Sequence, residues 1–114
     1  MTHYNPGDIV LVRFPFTDMS SGKRRPAVVL SPVEFQKLRQ DIVIMALTSQ
    51  PQPMDDLLLT RWREAGLPKK TWAKPLLGTI SGLLIERGLG VLHHDDYKNV
   101  TAALTMMISS CFMS

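Results

Sequence analysis

Apolar side chains occupy both parities of the run Asp41–Thr48, so a strand formed here buries both of its faces. The length and the β-branched content of the run favour a strand over a helix. A strand with two buried faces is typical of a small barrel or a subunit interface, because a half-exposed sheet leaves one face in water. The two faces are Ile42, Ile44 and Ala46 on one side and Val43, Met45 and Leu47 on the other.

Three further segments predict strands. Asp8–Phe14 and Pro26–Ser31 are rich in Val, Leu and other strand formers, and Leu57–Thr60 is a weaker case. The polar segment Thr17–Lys23 predicts a flexible loop between the first two strands.

The second half of the chain alternates between helical and extended patterns. Arg61–Ala65 predicts a short helix, with Gly66 as its left-handed C-terminal cap. Leu76–Leu92 contains four glycines, which favours short strands around a helical turn near Leu83–Arg87.

A final helix is expected to begin near Asp95 and Asp96. Carboxylates at a helix N-terminus accept hydrogen bonds from free backbone N–H groups and suit the helix dipole. Apolar residues then recur at i, i+3, i+4, i+7 and i+8, which predicts one buried helical face. These residues are Val100, Ala103, Leu104, Met107 and Ile108.

Length and composition exclude several classes of protein. A chain of 114 residues predicts one domain, and 45% apolar residues with a net charge of +3 exclude disorder. No apolar stretch approaches the roughly 20 residues of a transmembrane helix, and no signal peptide is recognisable. A lone cysteine, Cys111, makes no internal disulfide, so a reducing cytoplasm is expected.

The positive charge is unevenly distributed along the chain. Residues 1–40 carry a charge of +3 and residues 61–75 carry +4, whereas residues 41–60 between them carry −3. A positive surface patch of this kind attracts a polyanion such as nucleic acid, although a solubilising surface is the alternative interpretation.

Two short polar motifs adjoin the predicted strands. Pro26 holds Arg25 in an extended conformation beside the flexible loop, and a guanidinium can bind two phosphate oxygens. Thr48, Ser49 and Gln50 follow the third strand, and they meet Arg25 at one rim if the second and third strands are neighbours. A solvated loop cation and a simple strand end are the alternatives.

Other reactive or aromatic residues have structural explanations. His93, His94, Asp95 and Asp96 are adjacent, and adjacent side chains diverge, so helix capping explains them better than a metal site. Trp62 and Trp72 suit packing better than base stacking. No metal or cofactor is expected.

The ordered motifs resemble those of the MazF/PemK toxins of type II toxin–antitoxin systems. The stretches Gly7–Asp18 and Lys23–Ser31 resemble the N-terminal signature of that family, and Thr48-Ser49 falls at its second polar site. Trp62–Leu67 resembles its helix-turn motif, and Leu84–Leu92 resembles its late segment. The resemblance covers about residues 5–110.

The resemblance implies an α+β, mainly β fold. This is an SH3-like small β-barrel of the CcdB/MazF/PemK type, with a short helix and a C-terminal amphipathic helix, and residues 1–114 form a single toxin domain. It also implies a cytoplasmic homodimer inhibited by an antitoxin with an acidic, partly disordered tail. The implied activity is sequence-specific, metal-independent cleavage of single-stranded RNA, with mRNA as the expected target.

The resemblance also assigns roles to individual residues. Attack by the RNA 2′-OH on the adjacent phosphorus would leave a 2′,3′-cyclic phosphate, with Arg25 and Thr48 as the catalytic residues. The residues expected to contact RNA are Phe16, Thr17, Lys23, Arg24, Ser49, Gln50 and Lys74. The acidic residue that some members place near Thr71–Thr79 is absent here, which leaves Asp18 as a candidate general base.

The sequence also allows two alternative functions. A CcdB-like toxin binds gyrase without cutting RNA, but it depends on a terminal tryptophan that Leu104–Ser114 lacks. A degenerate family member would keep the antitoxin groove and lose catalysis.

Overall fold

The computed structural model describes residues 3–13 and 24–113. Within them the chain forms one antiparallel sheet in the order β4-β3-β2-β1-β5. The edge strands β4 and β5 do not pair with each other, so the sheet is open, which is compatible with a barrel-like fold. The prediction of a mainly β fold is confirmed. The elements are β1 (Asp8–Arg13), β2 (Arg24–Val29), α1 (Val33–Arg39), β3 (Asp41–Thr48), β4 (Trp72–Ser81), a 3₁₀ turn (Gly82–Leu84), β5 (Ile85–Val91) and α2 (His94–Met113).

Both faces of the central strands are buried, as the pattern in β3 predicts. The first core cluster includes Ile9, Val28 and Met45, and α2 packs on it through Val100. The second cluster lies on the other face of the sheet. Its buried members are Val10, Val12, Ala27, Val29, Ile42, Ile44, Ala46, Ile80 and Ile85.

The second strand begins two residues before the predicted Pro26. Arg24 and Arg25 pair with Arg13 and Val12 of β1, so both arginines are part of the sheet. Pro26 is therefore the third residue of β2 and not the first. It lacks an N–H, and the ladder between β2 and β3 begins only at Ala27. The two strands are thus unpaired beyond Ala27, towards the arginines.

The segment after β3 differs from the prediction of a fourth strand and a helix. Leu57–Thr60 contributes only an isolated bridge from Leu58 to Trp72. Arg61–Ala65 forms a single hydrogen-bonded turn in place of a helix. Gly66 ends that turn with φ of +89°, so the predicted left-handed cap is confirmed.

Asp96 holds the junction between these two segments. Its carboxylate is buried and accepts hydrogen bonds from the backbone N–H groups of Thr60 and Arg61, each at 2.9 Å. The Thr60 hydroxyl donates a third bond at 2.9 Å. A side chain from α2 therefore satisfies the N–H groups of Thr60 and Arg61, while the N–H groups of Leu58 and Leu59 donate to the carbonyls of Asp55 and Thr71.

Helix α1 has no counterpart among the predicted elements. It is seven residues long and has no side-chain cap at its N-terminus. Its buried residue is polar: the Gln36 side chain accepts a hydrogen bond from Tyr4 N–H and donates to the carbonyls of Tyr4 and Ser31. A short helix anchored by a glutamine lacks the apolar periodicity by which helices are recognised.

Helix α2 begins at His94, close to its predicted start, but its buried face is shorter than predicted. Val100 is buried, and Ala103 and Leu104 pack against the first cluster. Met107 and Ile108 are 40% and 51% exposed, so the prediction that they are buried is wrong for the single chain. No helix within the described residues is long and apolar enough to cross a membrane.

Candidate functional site

Strands β2 and β3 bring Arg25 and Thr48 to the same end of the sheet. The register between the strands pairs Ala27 with Ala46. If the same register is continued by two residues, Arg25 lies opposite Thr48. Both positions share the parity of Ala27 and Ala46, so the two side chains lie on the same face of the sheet. Because the strands are unpaired beyond Ala27, this end is open to a ligand.

Two adjoining cavities occupy this end of the sheet. One, of 230 Å³, is lined by Arg25, Ala46, Leu47, Thr48, Gln50, Lys74 and Leu76. The other, of 330 Å³, is lined by Arg24, Arg25, Pro26, Leu47, Thr48, Ser49, Gln50, Leu67, Pro68, Lys69 and Thr71. Since they share Arg25, Leu47, Thr48 and Gln50, we treat them together as the cationic cleft.

The cationic cleft carries four basic side chains and no acidic one among its described lining residues. Arg25 and Thr48 lie at its centre, and Arg24, Lys69 and Lys74 surround them. Concentrated positive charge in a concave site attracts an anion and raises its local concentration. The hydroxyl and amide groups of Thr48 and Gln50 add hydrogen-bonding capacity beside the charges.

An irregularity in β4 places Lys74 in the cleft. Leu47 pairs with Ala73 and Met45 with Leu77, so Ala46 alone faces the segment 74–76. Two extra residues on β4 make a bulge, and Pro75 is accommodated there because a bulge leaves backbone groups unpaired. The bulge turns Lys74 and Leu76 towards the ends of β2 and β3, where both line the smaller cavity.

The Thr48 hydroxyl is oriented by the backbone that follows it. Gln50 N–H donates a hydrogen bond to Thr48 Oγ1 at 3.1 Å. A hydroxyl has one proton to donate and two lone pairs that accept. With one lone pair engaged, the proton of the half-buried Thr48 side chain can be donated towards the cleft.

Arg24 differs from Arg25 in its surroundings. Its Nε atom lies 2.7 Å from Glu86 Oε1, and Arg13 shares the same carboxylate at 3.4 Å. This pairing holds Arg24 at the side of the cleft and partly neutralises its charge. All three side chains keep substantial exposure, so the pairs stabilise the fold only weakly.

The tryptophans and histidines lie outside the cationic cleft. Trp72 is 5% exposed, and its indole N–H donates to Asp55 Oδ1 at 2.9 Å. Trp62 packs on the first core cluster. The predicted packing roles of both tryptophans are therefore confirmed. His93 Nδ1 accepts a hydrogen bond from Asp95 N–H at 3.1 Å at the start of α2. The prediction that Asp96 caps this helix is wrong, because its carboxylate binds Thr60 and Arg61 instead. Within the described ranges, no cluster of three or more His, Cys, Asp or Glu residues is arranged to hold a metal ion.

One charged pair near α2 shows a shifted ionisation. Arg61 Nη1 donates to Glu64 Oε1 at 3.0 Å, and this hydrogen bond, with the attraction of the carboxylate, raises the pKa of Arg61. The pair is exposed and does not line the cationic cleft.

The structure brings most of the predicted site residues together. Arg24, Arg25, Thr48, Ser49, Gln50 and Lys74 all line the cationic cleft. Phe16, Thr17, Lys23 and the candidate base Asp18 lie outside the described residues.

Lys69 also lines the cleft, although no motif singles it out. Its only signal in the sequence is its place in the basic segment 61–75. Lys69 follows the turn that Gly66 ends, and this turn returns the chain to the sheet. Asp96 binds the start of the same turn through the N–H groups of Thr60 and Arg61.

The fold of this chain is similar to that of several solved structures. It superimposes on MazF from Deinococcus radiodurans with a TM-score of 0.78 at 19% identity, covering 96% of this chain and 99% of that chain. A chain of a MazE–MazF crystal structure from the same organism gives a TM-score of 0.77 at 20% identity, covering 95% of this chain and 98% of that chain. An endoribonuclease in complex with its cognate antitoxin from a mycobacterial species gives 0.72 at 15% identity, covering 96% of both chains.

Sequence comparison then defines the family. Residues 5–108 match the PemK-like, MazF-like toxins of type II toxin–antitoxin systems. No curated protein sequence matches the chain. Because the family match spans most of its length, the chain belongs to the PemK/MazF toxin family.

Proposed function

We propose that this toxin is a sequence-specific, metal-independent endoribonuclease that cleaves single-stranded RNA, with mRNA as its target. Membership of the PemK/MazF family supports this proposal. The observation that carries it is that Arg25 and Thr48, from neighbouring strands, line one cavity surrounded by basic side chains. Such a cavity suits a phosphate of a nucleic-acid backbone.

In the proposed reaction the 2′-oxygen of RNA attacks the adjacent phosphorus. A bond forms between the 2′-oxygen and phosphorus while the bond to the 5′-oxygen breaks, which leaves a 2′,3′-cyclic phosphate. Negative charge grows on the phosphate oxygens, and the Arg25 guanidinium stabilises it with two parallel N–H donors. The Thr48 hydroxyl donates to the reacting phosphate or ribose.

Two proton transfers complete the chemistry. The 2′-OH gives up its proton to a base, and the leaving 5′-oxygen takes up a proton from solvent water. The described residues that line the cleft include no carboxylate or imidazole. Asp18 remains the candidate base proposed from the sequence. A cleavage rate that is the same for Asp18→Asn and wild type at every pH would exclude it.

The rest of the cleft is proposed to hold the RNA backbone. Arg24, Lys69 and Lys74 would contact phosphates, while Ser49 and Gln50 would bind ribose or phosphate oxygens. Phe16, Thr17 and Lys23 are proposed from the family resemblance to complete the groove.

The partners of the toxin follow from its family. MazE–MazF complexes are among the similar structures. We infer that an antitoxin with an acidic tail binds the basic surface of this protein and overlaps the RNA groove. We also propose that residues 1–114 form one toxin domain that works as a cytoplasmic homodimer.

A single-turnover cleavage assay tests the ribonuclease proposal. Wild type, Arg25→Ala and the control Arg39→Ala are each incubated with a long single-stranded RNA in EDTA. Arg39 ends α1 and does not line the cationic cleft, so its variant makes the same charge change elsewhere. We expect discrete cuts by wild type and Arg39→Ala, and a rate at least about 100-fold lower for Arg25→Ala.

Two results would contradict the proposal. Equal cleavage by Arg25→Ala and wild type would remove Arg25 from the mechanism. Absence of cleavage by folded, antitoxin-free wild type would favour a toxin that only binds its target, and gyrase would then be tested.

A further inference from the structure

The carboxylate of Glu86 lies beside two arginines that belong to neighbouring strands. Its Oε1 atom accepts a hydrogen bond from Arg24 Nε at 2.7 Å and lies 3.4 Å from Arg13 Nε. Arg13 and Arg24 are paired residues of β1 and β2, and β5 lies on the other side of β1. The three charged side chains therefore form a row across β2, β1 and β5.

A β-bulge in β5 brings Glu86 to this row. Leu11 of β1 pairs with Arg87 of β5. The next residue of β1, Val12, pairs with Ile85, so Glu86 has no partner on β1. Bulges re-aim a side chain and occur often beside active sites. The bulge in β5 thus gives Glu86 its approach to the two arginines.

The stability of the fold gains little from these ion pairs. The side chains of Arg13 and Arg24 are 61% and 54% exposed, and that of Glu86 is 29% exposed. Ion pairs with this exposure contribute little to the free energy of unfolding. We therefore expect the effect of Glu86 in ligand binding and not in the unfolding temperature.

Arg24 also lines the cationic cleft, so Glu86 and a ligand in the cleft face the same guanidinium. The bond to Glu86 uses Nε, and the two terminal nitrogens of an arginine carry four further N–H donors. A phosphate that accepts from these donors comes close to the Glu86 carboxylate. Two anions on one guanidinium repel each other, because like charges at short range raise the electrostatic energy.

We propose that Glu86 competes with RNA for Arg24. RNA that binds Arg24 has to weaken or break the bond between Arg24 and Glu86, so this bond lowers the affinity of the cationic cleft for RNA. The inference rests on the proposed function, because it takes the ligand of the cationic cleft to be RNA.

The competition should affect RNA binding and leave the chemical step unchanged. Neighbouring residues of a strand point to opposite faces of the sheet, so Arg24 and Arg25 extend in different directions. Arg25 and Thr48 are assigned to the reacting phosphate, and Arg24 then contacts another phosphate of the same strand. An interaction that is equally strong in the substrate complex and the transition state changes KM and not kcat.

Fluorescence anisotropy with 2′-fluoro RNA, which lacks the attacking hydroxyl, measures binding separately from cleavage. Glu86→Gln and Glu86→Ala should each bind about two- to fivefold more tightly than wild type, a gain that matches the strength of an exposed ion pair. Glu64→Gln is the matched control, because Glu64 is also paired with an arginine, Arg61, and the pair does not line the cationic cleft. It should bind like wild type. Thermal unfolding checks that all variants are folded.

Two further measurements show whether Glu86 acts through Arg24. In an Arg24→Ala background the gain from Glu86→Gln should disappear, because the donors for which the carboxylate and RNA compete are gone. In single-turnover cleavage of ordinary RNA, Glu86→Gln should lower the protein concentration that gives half of the maximal rate. The maximal rate should stay that of wild type.

The outcomes distinguish this proposal from the proposed ribonuclease. Wild-type affinity in Glu86→Gln, weaker binding by Glu86→Ala, or an equal gain in Glu64→Gln or in the Arg24→Ala background would overturn the competition and leave the ribonuclease standing. Tighter binding through Arg24 by a protein that leaves ordinary RNA uncut would retain the competition and overturn the ribonuclease. Absence of RNA binding by wild type would overturn both.

Discussion

Thr48 gains its proposed role from the backbone around it. Its position at the end of β3 brings it to the level of Arg25, and Gln50 N–H then engages its oxygen. The arrangement needs a hydroxyl at this position and not merely a β-branched side chain. Threonine and serine supply one, whereas valine has the shape of threonine without it.

The variants Thr48→Val and Thr48→Ser therefore have opposite expected effects. Thr48→Val should lower the single-turnover rate of RNA cleavage at least about tenfold, since a donor to the transition state is lost. Thr48→Ser should keep most of the rate. Thermal unfolding checks that both variants are folded, and equal rates for Thr48→Val and wild type would leave the hydroxyl without a part in catalysis.

Single residues of the cleft differ in how well the sequence predicts them. Arg25 and Thr48 flank strands whose apolar pattern is clear, so their convergence follows once β2 and β3 are taken as neighbours. Lys69 enters the cleft through a turn held by Asp96, which is 27 residues further along the chain. Such a tertiary contact leaves no local pattern, and the sequence therefore gives no sign of it.

Among the elements, α2 controls the turn that leads to the cleft. The Asp96 carboxylate accepts three hydrogen bonds from Thr60 and Arg61 and is 3% exposed. Within the described residues no buried side-chain polar atom lacks a partner. Removing this carboxylate would take away the acceptor of all three bonds, and hydrogen bonds to a charged group contribute more free energy than neutral ones.

Asp96→Asn is expected to lower the free energy of unfolding by about 2–3 kcal/mol. The asparagine keeps one acceptor but directs an N–H₂ group at a backbone N–H donor. Asp95→Asn is the matched control, because Asp95 is its exposed neighbour in the same helix turn. Urea denaturation measures both. A loss of stability in Asp95→Asn equal to that in Asp96→Asn would show that charge at the helix N-terminus matters more than the buried bonds.

The elements that the sequence predicts well are those with a strong local pattern. β3, with apolar residues on both faces, has the predicted bounds, and α2 starts near its acidic residues. Helix α1 is missed because its buried residue is Gln36, and Leu57–Thr60 is overpredicted as a strand, with its last N–H, that of Thr60, bound by Asp96. In each of these two places a polar side chain forms hydrogen bonds to a distant part of the chain.

On the scale of the whole molecule, charge is concentrated at one end of the sheet. The net charge of the chain is only +3, yet four basic residues line the cationic cleft. A polyanion that binds there releases counterions, so its affinity falls as salt rises. With up to four phosphates neutralised, the slope of log affinity against log salt is expected to be about −3 for a single strand.

The same charge should attract an acidic antitoxin tail, so the tail and RNA are expected to compete. Fluorescence anisotropy of labelled 2′-fluoro RNA measures this, with poly-glutamate as a probe for the tail and poly-glutamine as the uncharged control. Poly-glutamate should displace the RNA, and the displacement should weaken as salt is raised because both ligands lose affinity. Arg25→Ala should weaken both ligands, whereas Arg39→Ala, on α1, should leave both near wild type. A ternary complex that holds RNA and poly-glutamate at full affinity would mean that the acidic partner binds elsewhere on the molecule.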